Sequence, residues 1–154
     1  FFTIAYQEGK LVEETTIDTQ ANVTEIKGRR ILLVEDNEFN QMVAVDTLAD
    51  LFTDLTVDVA EDGFIALKKL SEQHYDMVLM DIQLPEMDGF ETTRKIRTTL
   101  PKPINQIKIC AMTASVTKER IDECISSGMN DYLMKPFVPA DLKEKVIKNI
   151  LSIT

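Results

Sequence analysis

From Arg30 onward the chain alternates five short, almost uninterrupted aliphatic runs with segments whose apolar residues recur at helical spacing. This alternation restricts the fold more than any other feature. A strand with one wet face alternates apolar and polar residues, whereas a strand covered on both faces reads as a continuous apolar run. Repeated βα units of the second kind build a parallel sheet between two helical layers, so an α/β fold is expected. The expected strands are 30–34, 56–60, 77–80, 107–112 and 131–134. Parallel strands end along one edge, which gathers the residues that follow each run.

The intervening segments carry helix punctuation. Asn37 is the expected cap of the first helix, with Val45, Leu48, Ala49 and Phe52 on its inner face. Asp62-Gly63 opens the second, whose apolar side is Ala66, Leu67 and Leu70. Asp88, with Glu91 three residues on, forms a capping-box-like start for the third, which carries Phe90, Ile96 and Leu100. Thr117 caps the fourth, Ile121, Cys124 and Ile125 face inward, and Gly128 stops it. Pro139 suits the first turn of the last helix, which buries Leu142, Val146, Ile147, Ile150 and Leu151.

Composition narrows the class. At 154 residues, 44% hydrophobic and 28% charged, the chain suits one ordinary domain with an extension. Seventeen basic against 26 acidic residues leave a formal charge of −9, which disfavours binding nucleic acid through its phosphates. No apolar stretch is long enough to span a bilayer and no signal-like segment opens the chain, so a cytoplasmic segment without direct membrane contact is expected. Cys110 and Cys124 form no CxxC pair and read as reduced core thiols, and His74 reads as a surface residue. Residues 7–28 are polar and lack a sustained period, which marks a linker before a domain at 29–154. Phe1-Phe2-Thr3-Ile4-Ala5-Tyr6 reads as a strand of a preceding domain, and Asn22-Val23-Thr24 matches a glycosylation sequon out of context.

The strand ends carry the chemistry. Glu35 and Asp36 follow the first run, Asp81 the third, Thr113 the fourth and Lys135 the fifth. Taken singly, each is an ordinary cap, turn or surface residue; on one edge they make an acidic pocket with a hydroxyl and an ammonium beside it. Three converging carboxylates repel, and a divalent cation resolves the conflict. Mg²⁺ favours oxygen ligands and commonly takes one or two carboxylates. Asp36 and Asp81 are the expected direct ligands, Glu35 one acting through water, and the backbone carbonyl at Gln83 a further donor. Asp81 is then placed to attack a phosphoryl group, with Lys135 neutralising its oxygens and Thr113 donating a hydrogen bond. Asp88 is better explained as a helix cap than as a ligand. The sequence lacks a GxxxxGK[ST] loop and so cannot bind ATP in the P-loop manner.

Val34-Glu35-Asp36-Asn37, Met80-Asp81-Ile82-Gln83-Leu84-Pro85-Glu86-Met87-Asp88-Gly89, Met112-Thr113-Ala114 and Lys135-Pro136-Phe137 resemble the receiver domains of two-component signalling. The likeness covers residues 29–151. It implies a (βα)5 flavodoxin-like fold with strand order 2-1-3-4-5, Mg²⁺ dependence, and self-phosphorylation of Asp81 from a phosphohistidine followed by autodephosphorylation. It also implies that Tyr132 and Thr113 act together as a switch, that Gln83 and Ser115 tune water access, and that the Lys135-Pro136 bond is cis. Residues 1–6 are similar to the closing strand of a histidine-kinase ATP-binding domain, which suggests the C-terminal part of a hybrid histidine kinase. With three residues after Leu151, output is expected to pass by contact to a histidine kinase or histidine phosphotransfer domain, with room for a homodimer. The competing readings are a docking module indifferent to phosphorylation and a flavin carrier of the same fold. Glu35-Asp36 would repel the phosphate of FMN and argues against the latter.

Overall fold

The computed structural model describes residues 24–151. Strands β1 (Arg30–Val34), β2 (Thr56–Ala60), β3 (Met77–Asp81), β4 (Lys108–Thr113) and β5 (Asp131–Met134) alternate with helices α1 (Glu38–Leu51), α2 (Gly63–Glu72), α3 (Gly89–Thr99), α4 (Lys118–Ser127) and α5 (Pro139–Leu151). All neighbouring strands are parallel, in the order β2-β1-β3-β4-β5. This is the expected flavodoxin-like order. Residues 1–23 lie outside the described part, and with them the expected first strand, most of the linker and the sequon asparagine.

The three central runs, β1, β3 and β4, behave as doubly covered strands, whereas β2 and β5 stay partly exposed because they are the edges of the sheet. Along β1, Ile31 and Leu33 pack with Ala44, Leu48 and Phe52 from the α1 segment and Leu142, Val146 and Ile147 of α5. Leu32 and Val34 turn the other way, toward Ala66 and Leu70 of α2, Phe90 and Ile96 of α3, and Cys124 of α4. All four β1 residues are fully buried, and each such side chain contributes about 1.5–3 kcal/mol relative to exposure. Ile26 is also fully buried, on the α1–α5 side. The Gly28 amide donates to the Asp54 carbonyl at 2.8 Å, so the end of the 7–28 segment is seated on the domain.

The caps form as the sequence predicts. Asn37, Asp62, Asp88 and Thr117 accept from the amides of Asn40, Ile65, Glu91 and Arg120 at 2.9, 2.8, 2.8 and 3.2 Å. Gly128 ends α4 in the left-handed region, φ +107°. Two helix faces differ from expectation. In α1, Ala44 is buried and Ala49 exposed, because the buried series runs 44, 48, 52 rather than 45, 48, 49, 52. Ile125 is 66% exposed, because short α4 meets the sheet along a stripe of Cys124 and Ser127. The thiols of Cys110 and Cys124 are free and buried, and burial pushes both upward in pKa.

One polar anchor ties α3 to the far ends of its neighbours. Arg97 Nε and Nη2 donate to the Gly128 carbonyl at 3.0 and 2.7 Å, and Nη1 to the carbonyls of Asn105 and Ile107 at 2.8 Å each. Nη2 also reaches Asn130 Oδ1 at 2.9 Å, and that same oxygen accepts the Ile109 amide. A single lysine ammonium lacks the fork needed to serve these carbonyls together. Arg97→Lys is expected to lower unfolding free energy by roughly 2–3 kcal/mol, read as the midpoint of urea denaturation; an unchanged midpoint would refute this role.

Candidate functional site

The site lies where the connections diverge. After β1 the chain passes to the α1–α5 layer, and after β3 it passes to the α2–α4 layer. A crevice therefore opens between the C-terminal ends of β1 and β3, the topological switch point of an open α/β sheet. Asp81 is the last residue of β3, one place later than the sequence places the strand end, and pairs in register with Met112 of β4. Thr113 likewise closes β4. Gly89, at the start of α3, lets that helix approach the end of β3: a Cβ there would collide with the Asp81 carbonyl and come within 2.8 Å of Ile82 Cα.

Glu35, Asp36 and Asp81 present carboxylate oxygens all within 4.8 Å of one another. Glu35 and Asp81 are only 2% and 5% exposed, whereas Asp36 faces solvent. Lys135 Nζ lies 3.3 Å from Glu35 Oε1 and 3.4 Å from Asp81 Oδ2, so one ammonium serves two buried carboxylates. Glu35 Oε2 accepts the Asn37 amide and Asn40 Nδ2 at 3.2 and 3.4 Å, and Gln41 Nε2 donates to the Glu35 carbonyl at 2.7 Å. The Gln83 amide donates to Asp81 Oδ1 at 3.1 Å, folding the turn back over the carboxylate. Burial, and then the charge of Glu35, push the Asp81 carboxyl up to about 6 against the opposing pull of Lys135 and the Gln83 N–H.

A cleft of about 70 Å³ opens beside Asp81, lined also by Gln83, Thr113, Ser115, Arg120 and Lys135. The Thr113 hydroxyl is engaged in its own turn, donating to the Ser115 carbonyl at 2.8 Å and accepting the Ser115 amide at 3.1 Å. Tyr132, on β5, stands away from that group, in a groove with Ile121, Cys124 and Ile125 of α4. Lys145 Nζ lies 5.2 Å from its ring centroid and 2.8 Å from Asp131 Oδ1. The Lys135-Pro136 bond is cis, as the resemblance implies, and so is Lys102-Pro103. His74 is a surface side chain, 84% exposed, 3.3 Å from Asp76.

The residues present suit a hard divalent cation. Three carboxylates supply oxygen donors and excess negative charge, the combination Mg²⁺ uses. Burial, and then the charge of Glu35, hold a proton on Asp81 to higher pH, and a cation would relieve the second of these.

Comparison with known proteins agrees with this geometry. Residues 31–147 match the model of the response regulator receiver domain. The chain belongs to this family. It is 33% identical over 156 residues to Histidine kinase 5 of Arabidopsis thaliana, covering 86% of this chain and 16% of that protein. It is 38% identical over 124 residues to Hybrid signal transduction histidine kinase A of Dictyostelium discoideum, covering 78% of this chain and 6% of the kinase. Among solved structures it resembles the receiver domain of a sensor histidine kinase from Pseudomonas aeruginosa PAO1, which has a magnesium ion coordinated in its active site cleft. That match has 38% identity and a TM-score of 0.71, covering 81% of this chain and 98% of the other. The chemotaxis protein CheY4 of Vibrio cholerae aligns at 26% identity and a TM-score of 0.71, over 79% and 98% of the two chains. The chain is thus a receiver domain of two-component signalling, and no helix among the described residues is long and apolar enough to cross a membrane.

Several residues of this receiver site carry little mark in the sequence. Arg120 lines the cleft, yet on a helical reading it is one charge among many in α4. Asn40 and Gln41 hold Glu35 from the first turn of α1. Their spacings of five and six residues were the available signal, since a helix start folds back over the strand end before it.

The raised value of Asp81 dictates how stability depends on pH. Its folded value, about 6, lies above the ordinary 3.8, so the folded state holds the proton more tightly. The stabilisation is complete below the ordinary value and is lost as pH rises through about 6. Without divalent ions, Asp81→Asn is therefore expected to be more stable than the parent by roughly 1–3 kcal/mol at about pH 8, with the gap closing near about pH 4. Urea unfolding followed by circular dichroism measures both; parallel pH profiles would overturn the assignment.

Proposed function

We propose that this receiver is the phosphoacceptor of a phosphorelay, with Asp81 taking a phosphoryl group from a phosphohistidine. The carrying observation is the position of Asp81: buried, at a rigid strand end, 3.4 Å from Lys135 and opening on a small cleft whose other wall is Thr113. A carboxylate oxygen of Asp81 forms the new O–P bond while the N–P bond of the donor breaks and the imidazole leaves, taking up a proton. Phosphoryl transfer needs mainly alignment and charge neutralisation. Lys135 supplies a positive charge to the transferred group, and the Gln83 amide fixes one Asp81 oxygen in orientation.

Glu35, Asp36 and Asp81, with the Gln83 carbonyl, would hold Mg²⁺. Bound there, it would screen the carboxylates from one another and offset charge on the phosphoryl oxygens. Once phosphorylated, Asp81 carries a phosphoryl group of roughly −1.5 to −2 charge in place of its own carboxylate charge, and that group would draw the Thr113 hydroxyl from the Ser115 carbonyl toward the new oxygens. The Tyr132 ring would answer by turning inward from its groove on α4, leaving Lys145. The donor and recipient are phosphohistidine-bearing histidine kinase or phosphotransfer domains, and the parent protein is a hybrid histidine kinase. The relatives support this, since the chain matches 6–16% of the length of such kinases.

Acetyl phosphate with Mg²⁺ is expected to add one phosphoryl mass at Asp81, detected by mass spectrometry of the intact protein. Chelation of the ion or Asp81→Asn should abolish the gain, and Lys135→Ala should slow it by at least about tenfold, in line with loss of a charge-assisted contact. No gain in the parent protein would refute the proposal. Equal partner affinity for loaded and unloaded protein would favour the docking reading.

A further inference from the structure

The cleft beside Asp81 is electrostatically two-sided. The metal-binding side holds the carboxylates of Glu35 and Asp36. The other side is lined by Thr113, Ala114, Ser115 and Arg120, with Lys135 and Asp81 between the halves. Arg120 is the only arginine on that lining, and with Lys135 it makes two cations facing a space that would receive a group of roughly −1.5 to −2 charge.

Arg120 is placed to move. It sits in the first turn of α4, its amide capped by Thr117, and its side chain is 36% exposed. Among the described residues its guanidinium has only weak partners: the Phe90 ring, with the centroid 5.7 Å away, and Glu123 Oε1 at 3.6 Å. An exposed pair at that distance is worth little, whereas an arginine–phosphate contact is charge-assisted and directional.

Taking Asp81 as the acceptor, as proposed above, we infer that Arg120 is the second cation of the phosphoryl site: its guanidinium leaves Phe90 and Glu123 for a phosphoryl oxygen on Asp81 and prolongs the life of the acyl phosphate. Hydrolysis requires water to form a new P–O bond as the Asp81 O–P bond breaks, returning the carboxylate and releasing inorganic phosphate with the water's proton. A planar guanidinium at the mouth of the cleft obstructs that water and holds the ground state. The same contact pulls the first turn of α4 toward the site and so reports phosphorylation to the α4–β5 groove.

The test is the decay rate of the protein loaded with acetyl phosphate and Mg²⁺, in the parent, Arg120→Gln, Arg120→Lys and Lys118→Gln. Lys118 lies in the same helix turn, pairs with Asp122 at 2.9 Å and does not line the cleft, so its variant controls for net charge. Arg120→Gln is expected to shorten the lifetime about three- to tenfold, Arg120→Lys to fall between, and Lys118→Gln to match the parent. In addition, the Arg120 Nε–Hε resonance should shift when beryllofluoride is added with Mg²⁺ to the parent, but not to Asp81→Asn. If the parent takes up no phosphoryl, the reading of Asp81 fails and Arg120 with it. If it loads normally while Arg120→Gln decays at the parent rate, or Lys118→Gln decays as fast as Arg120→Gln, the role of Arg120 alone is overturned.

Discussion

Two almost fully buried carboxylates share one ammonium. Glu35 and Asp81 are both held near Lys135, and the arrangement leaves the site short of positive charge. Burying an ion pair costs desolvation that only good geometry and further hydrogen bonds offset. Here the offset is partial: the amides of Asn37 and Gln83 and the side chain of Asn40 reach the carboxylates, yet the Asp81 carboxyl remains pushed up to about 6. The rest of the domain makes this tolerable. The backbone ladder fixes Asp81, and the amides of Glu35 and Lys135 donate to the carbonyls of Ala60 and Thr113 at 3.0 and 2.7 Å, so the charges are held together at the backbone.

That shortage gives the site its chemical direction. A cation on the Glu35–Asp36 side relieves repulsion, and an anion on the Thr113 side meets Lys135. Around this rigid centre the responsive parts are held by weaker ties. The Thr113 hydroxyl bonds within its own turn, to Ser115. Tyr132 stands beside Lys145, which in turn is committed to buried Asp131. The contrast between the buried central ladder and groups held by few contacts separates what must stay fixed from what can change.

Much of the fold was legible in the sequence because doubly covered strands leave an unmistakable apolar run and because caps act locally. Asn37, Asp88, Thr117 and Gly128 do what their neighbours in sequence predict. Helix phase was less legible. Ala44 rather than Ala49 is buried in α1, and Ile125 is left outside α4, since a one-residue rotation is set by how the helix lies on the sheet. Arg97 could not be foreseen either: its acceptors at Asn105, Ile107, Gly128 and Asn130 become neighbours only when the α3–β4 and α4–β5 connections close around it.

The identities and order of the functional side chains belong to the sequence alone. Residues that end apolar runs must surface at the strand ends of a parallel sheet, so Glu35, Asp36, Asp81, Thr113 and Lys135 were bound to share an edge. Tertiary structure decided which of them touch, which are buried and where the charges balance. Those quantities depend on ångström-scale separations across β1, β3 and β5, on the desolvation imposed by two helical layers, and on Arg120 arriving from α4, none of which is encoded in local spacing.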